Sequence, residues 1–249
     1  MANLALAFPG LAPAGRRRIC RRSFQHLGVT FVELCAALAR PLEETLQRIQ
    51  LEGLEHLRHA MEAHGRALVL TAHLGNWELL AAAHRLTGYP LAIVVRPLDS
   101  PSLNAVADRL RRKSGVELIA KRGALRPVLT ALRDGRMVGI LLDQNASRRE
   151  SVFVPFFGRP ASTSKSLALL AVRTGAPVLP IFVHRDARGN HRVTVHPPLP
   201  APAANAGERG VVELTMRCTT AIEAAVREAP EQWLWIHDRW RTRPARPKA

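Results

Sequence analysis

Short apolar runs alternating with helical stretches predict an α/β fold: a central, mostly parallel sheet flanked by helices. Three observations carry this. The runs Ala67-Leu68-Val69-Leu70-Thr71-Ala72, Leu91 to Val95 and Met137 to Leu142 are apolar almost throughout, the pattern of strands buried on both faces. The stretches around them repeat apolar residues at helical spacing. Gly65 and Gly175 stand where two such helices should stop.

The elements follow in order. Arg16, Arg17, Arg18, Arg21 and Arg22 precede Phe24, Leu27, Val29, Phe31, Val32 and Leu34. Residues 1–40 thus read as a basic, then apolar, helical segment, suited either to a membrane surface or to packing on the domain. From Leu51 the pattern is βα-like: Leu54, Leu57 and Met61 recur up to Gly65, and the 67–72 strand follows. Asn76 is expected as the N-cap, and Glu78 in the first turn, of a helix from Trp77 to Leu86. After the strand at 91–95 come a helix from Pro101 to Lys113, a short strand from Val116 to Ile119 and a helix from Leu125 to Arg133. The strand from Met137 to Leu142 ends at Asp143. Thr163 to Thr174 is expected as a helix, Pro177 to Val183 and His191 to Val195 as strands, and Pro197 to Gly210 as a loop rich in Pro and Ala. Val211 to Arg227 is a long amphipathic helix, and residues 240–249 are a basic tail. No repeat or linker breaks the pattern, so residues 1–249 are read as one domain.

Composition narrows the function. With 249 residues and 47% apolar content, the chain has the means to bury a core without disulfides, and disorder is excluded. Cys20, Cys35 and Cys218 form no CxxC pair, which fits a reduced, cytosol-facing setting. No run of about 18 apolar residues encodes a membrane span. Lys and Arg number 36 against 20 Asp and Glu, a formal +16. Such a field attracts anionic headgroups, phosphorylated substrates, acidic proteins and nucleic acid. With aromatics at 5%, stacking platforms for single strands are lacking, and no nucleic-acid partner is expected. His56, His59 and His64 form no HExxH arrangement and sit in an ordinary amphipathic pattern, so no metal is expected either.

In open α/β sheets, sites gather at the carboxyl ends of strands. His73, Arg96 and Asp143 each follow one of the three buried runs. His73 and Glu78 are five apart, about 140° around a continuous helix, and would not meet there. A strand–turn–helix removes that obstacle, with Gly75 closing the turn. Glu78 is then expected to accept the Nδ1 proton of His73, leaving Nε2 as a base. The plainer alternative is a strand-end histidine that merely caps a helix.

The segment Thr71-Ala72-His73-Leu74-Gly75-Asn76-Trp77-Glu78 resembles the HxxxxE box of the bacterial lipid A late acyltransferases, the lauroyl/myristoyl acyltransferase family. Further blocks agree in order: NLALAFPG from Asn3 to Gly10, Arg96-Pro97 with the Arg-rich helix after it, Leu142-Asp143-Gln144, VFVPFFGRPAST from Val152 to Thr163, and PEQWLWIHDRWRTRP from Pro230 to Pro244. The resemblance spans nearly the whole chain. It implies a glycerolipid-acyltransferase-like fold, His73 as general base with Glu78 as its partner, and Asp143 and Arg111 as residues the activity needs. Arg96 and Asn76 join them as expected substrate-binding residues.

What the resemblance implies is acyl transfer from a thioester of acyl carrier protein or coenzyme A to a hydroxyl of a glycolipid, without a cofactor or acyl-enzyme. It further implies a peripheral place on the cytoplasmic face of the bacterial inner membrane, against an anionic surface. Two departures stand out. Asn145, Ala146 and Ser147 follow the Asp-Gln pair where the family often has Asp then Gly, and this sequence starts where the family's membrane helix would end. Trp233, Trp235 and Trp240 suit either a lipid-interface belt or core packing, and packing is the expectation.

Overall fold

The run at 67–71 is a central strand, hydrogen-bonded on both sides within a seven-stranded sheet. The computed structural model describes residues 1–97, 100–203 and 205–245, with Leu103 described by its backbone alone. The elements are α1 (Ala2–Ala7), α2 (Pro13–Ala39), α3 (Leu42–Leu46), β1 (Ile49–Glu52), α4 (Leu54–His64) and β2 (Ala67–Thr71). Next come α5 (Leu80–Ala83) between 3-10 turns at Trp77–Leu79 and His84–Leu86, then β3 (Leu91–Val95), α6 (Pro101–Lys113), β4 (Glu117–Ala120), α7 (Leu125–Arg133) and β5 (Met137–Leu141). The chain continues with β6 (Ser151–Phe156), β7 (Arg159–Ser164), α8 (Ser166–Thr174), β8 (Val178–Arg185), β9 (His191–Val195) and α9 (Gly207–Glu228).

The sheet order is β1-β9-β8-β2-β5-β3-β4. Every pairing in it is parallel except the β8–β9 hairpin. The expected α/β class is therefore the observed one. Successive residues of a strand point to opposite faces, and β2 feeds two cores. Leu68 and Leu70 join Leu167, Phe182, Leu214, Ile222 and Trp233 on one face. Ala67 and Val69 join Leu57, Met61, Leu79 and Leu110 on the other. α9 earns its place by spacing: Val211, Leu214, Thr215, Cys218, Ile222, Ala225 and Val226 form one buried stripe. Gly65 and Gly175 close α4 and α8 at φ 64° and 67°, the left-handed conformation that favours glycine.

The structure corrects the expected elements in several places. The helix expected from Thr163 starts at Ser166, because Thr163 pairs with Val152 in a hairpin, β6–β7. That hairpin turns on Phe157 and Gly158, both at positive φ, 51° and 70°. A two-residue turn of this kind normally signals itself with Asn-Gly or Asp-Gly. Phe157 is held in this uncommon conformation by tertiary contacts: its ring meets Phe8 and Phe156, Arg227 stacks over it at 4.4 Å, and its N–H donates to Glu223. The segment expected as helical over residues 1–40 holds two helices, α1 and α2; β1 and α3 lie outside the expected elements, and α9 begins at Gly207, inside the expected loop. Of the basic tail, residues 246–249 lie outside the described residues, while Trp240 is buried and the Thr242 N–H donates to Asn145 Oδ1.

The basic N-terminal segment is α2, and it is anchored by charge as well as by packing. Glu33 receives Nε and Nη2 of Arg185 at 3.0 and 2.5 Å and stands 3.4 Å from Nε2 of His191. Arg185 also donates to Thr30 and bonds His26. Burial opposes ionisation of Glu33, but His191, Arg185 and Asn76 outweigh it and hold the carboxyl at about 2, below its ordinary 4.5. No helix of the described residues is long and apolar enough to cross a membrane.

A carboxyl depressed on folding adds stability that is complete above its unfolded pKa and is lost as pH falls through its folded one. For Glu33 the window runs from about 4.5 down to about 2. Urea midpoints should therefore fall across that window. Glu33→Gln should cost roughly 3 kcal/mol at neutral pH, since it leaves Arg185 without its carboxylate, and should flatten the acid dependence. A variant as stable as the parent at neutral pH would refute the anchor.

Candidate active site

Two neighbouring parallel strands set the site. In the β2–β5 register Thr71 lies opposite Leu141, and the Leu142 N–H donates to the Thr71 carbonyl. Two residues further along each chain stand His73 and Asp143. The register therefore brings them face to face at the carboxyl edge of the sheet, where such folds bind ligands.

The Asp143 side chain is almost wholly buried and is served by three donors. Oδ1 is 2.8 Å from His73 Nδ1, while Oδ2 accepts the His73 backbone N–H at 3.0 Å and the Trp233 indole N–H at 2.8 Å. Burial pushes the carboxyl up, but the charge and hydrogen bonds of His73 and the bond from Trp233 prevail, holding it at about 2. An ionised carboxylate only accepts, so the Nδ1 proton of His73 is fixed on that side. In the neutral ring Nε2 then carries the lone pair. The His73 side chain keeps 19% of its surface accessible, and Gln144 Nε2 stands 3.4 Å from His73 Nε2. A base held by a buried carboxylate, with its other nitrogen at the surface beside an amide, is equipped to take a proton from a bound hydroxyl.

The expected His73–Glu78 pairing is corrected. Glu78 lies in the 3-10 turn after the loop, and its two oxygens receive Arg111 Nε and Nη2 at 2.9 and 2.5 Å. This is a bidentate ion pair that ties α6 to the turn after His73. Arg111 sits at 8% exposure with an internal partner, not an open one. Burial works against its charge, yet Glu78 and Asp108 raise its pKa. Asn76 is also corrected as a helix-capping side chain. It is fully buried, caps nothing, and donates from Nδ2 to Glu33 at 2.8 Å. Arg96 does stand at the carboxyl end of β3, exposed, on the same edge as His73 and Asp143.

The turn itself leaves little freedom. Gly75 has φ 60°, and a Cβ there would come within 2.1 Å of the Val183 carbonyl oxygen. Its N–H donates to the Gln232 carbonyl, and the Leu234 N–H returns to the His73 carbonyl. Residues 232–234 thus run alongside the turn as a short antiparallel bridge centred on Leu74 and Trp233. The same C-terminal segment holds the loop after Asp143. His237 Nε2 accepts the Asn145 N–H, and burial lowers the His237 pKa. Arg239, at 1% exposure, donates to the Ser162 carbonyl and to Thr163 Oγ1 on β7 and lies over the Phe156 ring. Burial draws its pKa down to about 10, so it stays charged at neutral pH. Trp233, Trp235 and Trp240 are all buried, which settles packing over an interface belt.

Comparison with known proteins follows this geometry. The family described as bacterial lipid A biosynthesis acyltransferase matches residues 1–242. The lipid A biosynthesis palmitoleoyltransferase of Escherichia coli K12 is 28% identical over 246 residues, covering 97% of this chain and 78% of the relative. The lauroyltransferase of the same organism is 27% identical over 244 residues, with the same two coverages. A lipid A biosynthesis acyltransferase of Haemophilus influenzae is also 27% identical, over 97% of this chain and 74% of its own. The family match runs through the His73 turn, the Asp143 strand end and the C-terminal segment, and the chain belongs to the bacterial lipid A biosynthesis acyltransferase family.

Proposed function

We propose that this enzyme moves a fatty acyl chain from an acyl thioester, carried by acyl carrier protein or coenzyme A, to a hydroxyl of a lipid A precursor or related glycolipid. The observation that carries the reading is the His73–Asp143 pair, with Nδ1 tied to a buried carboxylate and Nε2 facing out. A sugar or hydroxyacyl hydroxyl ionises far above neutral pH and needs a base before it can attack. His73 Nε2 takes that proton. The alkoxide oxygen forms its bond to the thioester carbonyl carbon, and the electron pair moves to the carbonyl oxygen. Collapse of the tetrahedral intermediate breaks the carbon–sulfur bond, and the imidazolium returns its proton to the departing thiolate. Asp143 stabilises the imidazolium in between and keeps its own proton off. The Gln144 amide, beside Nε2, is a candidate donor to the oxyanion.

In this reading Glu78 acts through Arg111 rather than on His73. The pair fixes α6, with its basic last turn of Arg111, Arg112 and Lys113, beside the catalytic turn. Charge supports the partners. The outer side of α2 exposes Arg17, Arg18, Arg21 and Arg22 and then Phe24, Phe31 and Val32, a basic and apolar surface suited to the anionic cytoplasmic face of the inner membrane. The formal +16 also suits an acidic carrier protein.

Incubation of purified protein with labelled acyl carrier protein and a lipid A precursor tests the reading. His73→Ala should abolish transfer with an unchanged circular dichroism spectrum, and full activity in it would sink the proposal. Asp143→Asn should lower kcat by roughly a thousandfold or more, because an amide no longer selects the Nδ1-protonated ring; a loss under tenfold would argue against the dyad. Binding to anionic vesicles should weaken as salt rises from about 0.05 to 0.5 M, and salt-insensitive binding would remove the electrostatic part.

A further inference from the structure

Trp233 occupies a position that packing alone does not explain. Its ring is buried at 1% exposure, edge-on to Trp235 at 4.5 Å and near Phe156 at 5.6 Å. Phenylalanine would fill most of that space. The indole nitrogen, however, is aimed at Asp143 Oδ2, the oxygen that also takes the His73 backbone N–H. Two donors on Oδ2 pin the carboxylate and leave Oδ1 turned to His73 Nδ1. An indole N–H donates and never accepts, so it admits only the ionised or correctly oriented carboxyl. The backbone on either side of Trp233 is bonded to the catalytic turn, which fixes where the indole points.

We propose that Trp233 is a positioning residue for acyl transfer, setting the orientation of the Asp143 carboxylate and, through it, the tautomer and basicity of His73. The inference rests on the reading of His73 as the base. A carboxylate deprived of one donor holds the Nδ1 proton and the imidazolium more strongly, so His73 gives up its proton less readily and acts as a base only at higher pH. The other charged groups in reach come from the same C-terminal segment: Arg239 acts on Asp143, and His237 sits in the field of Asp143, His73, Arg239 and Arg241. His237 accepts the Asn145 N–H and is neutral, while Arg239 is charged across the working range. Neither bonds the indole N–H, which goes to Asp143. On the other side Glu78 is occupied by Arg111.

The test is Trp233→Phe in the full chain, beside the unmodified protein. The expected result is a kcat lower by on the order of tenfold, a KM for the acyl thioester within about twofold, and an acid limb moved to higher pH. A second reading needs no substrate. Nitrogen-15 imidazole resonances, with that of His73 assigned by its loss in His73→Ala, should show His73 titrating at higher pH in Trp233→Phe. If Phe at this position loosens the fold, benzothienylalanine, in which sulfur stands where the indole N–H was, replaces Trp233 under the same criteria. A folded variant with parental kcat and unchanged His73 titration overturns the inference. Absence of transfer to the lipid A precursor in the unmodified protein would instead overturn the acceptor reading, and the resonance titration would still decide the role of Trp233.

Discussion

A carboxylate almost wholly buried must find its donors within the protein, and Asp143 finds three. Each comes with a structural demand. The His73 backbone and ring require β2 and β5 to be adjacent and in register. The Trp233 indole requires the C-terminal segment to return across the sheet edge. Meeting those demands stabilises the charge, and the charge then determines which nitrogen of His73 carries the proton. Folding and the proposed chemistry thus meet in one side chain.

The turn that carries His73 is held from both sides. On one, Asn76 reaches Glu33 on α2, whose carboxylate is locked by Arg185 and His191. On the other, residues 232–234 bond its backbone, and Arg239 ties that segment to β7. The β6–β7 hairpin matters here because it supplies the Ser162 and Thr163 acceptors and, through Ser162 to Ala146, steadies the loop after Asp143. Loops carry more mobility than strands, so a histidine on a loop needs such bracing to hold a hydrogen bond of 2.8 Å to its partner. Gly75 allows the close approach to Val183 that the bracing requires.

Much of this was legible in the residues. Buried strands, glycine stops and the stripe of α9 are local patterns, and the strands at 67–71, 91–95 and 137–141 lie where their apolar runs placed them. His73 and Asp143 were both readable as strand-end polar residues. The β6–β7 hairpin was not readable, because Phe157 occupies a turn position where its conformation is stabilised by groups distant in sequence, the Phe8 ring, Glu223 and Arg227. The His73–Glu78 pairing follows from nearness in sequence and from the HxxxxE resemblance, whereas Arg111, 33 residues on, carries a full charge and a guanidinium matched to both carboxylate oxygens.

The sequence by itself determined the α/β class, the strands that end at the site, the excess of positive charge and the resemblance that led to the family. These follow from periodicity and composition, which are properties of neighbours along the chain. Only the tertiary structure decided which acid serves His73. The order β8-β2-β5-β3 inserts β5 beside β2 although two strands separate them in sequence, and register then sets Asp143 against His73. No local pattern encodes that adjacency, because it is set by how the two apolar faces of the sheet are buried together. The indole of Trp233, 90 residues from Asp143, is placed by the same global packing.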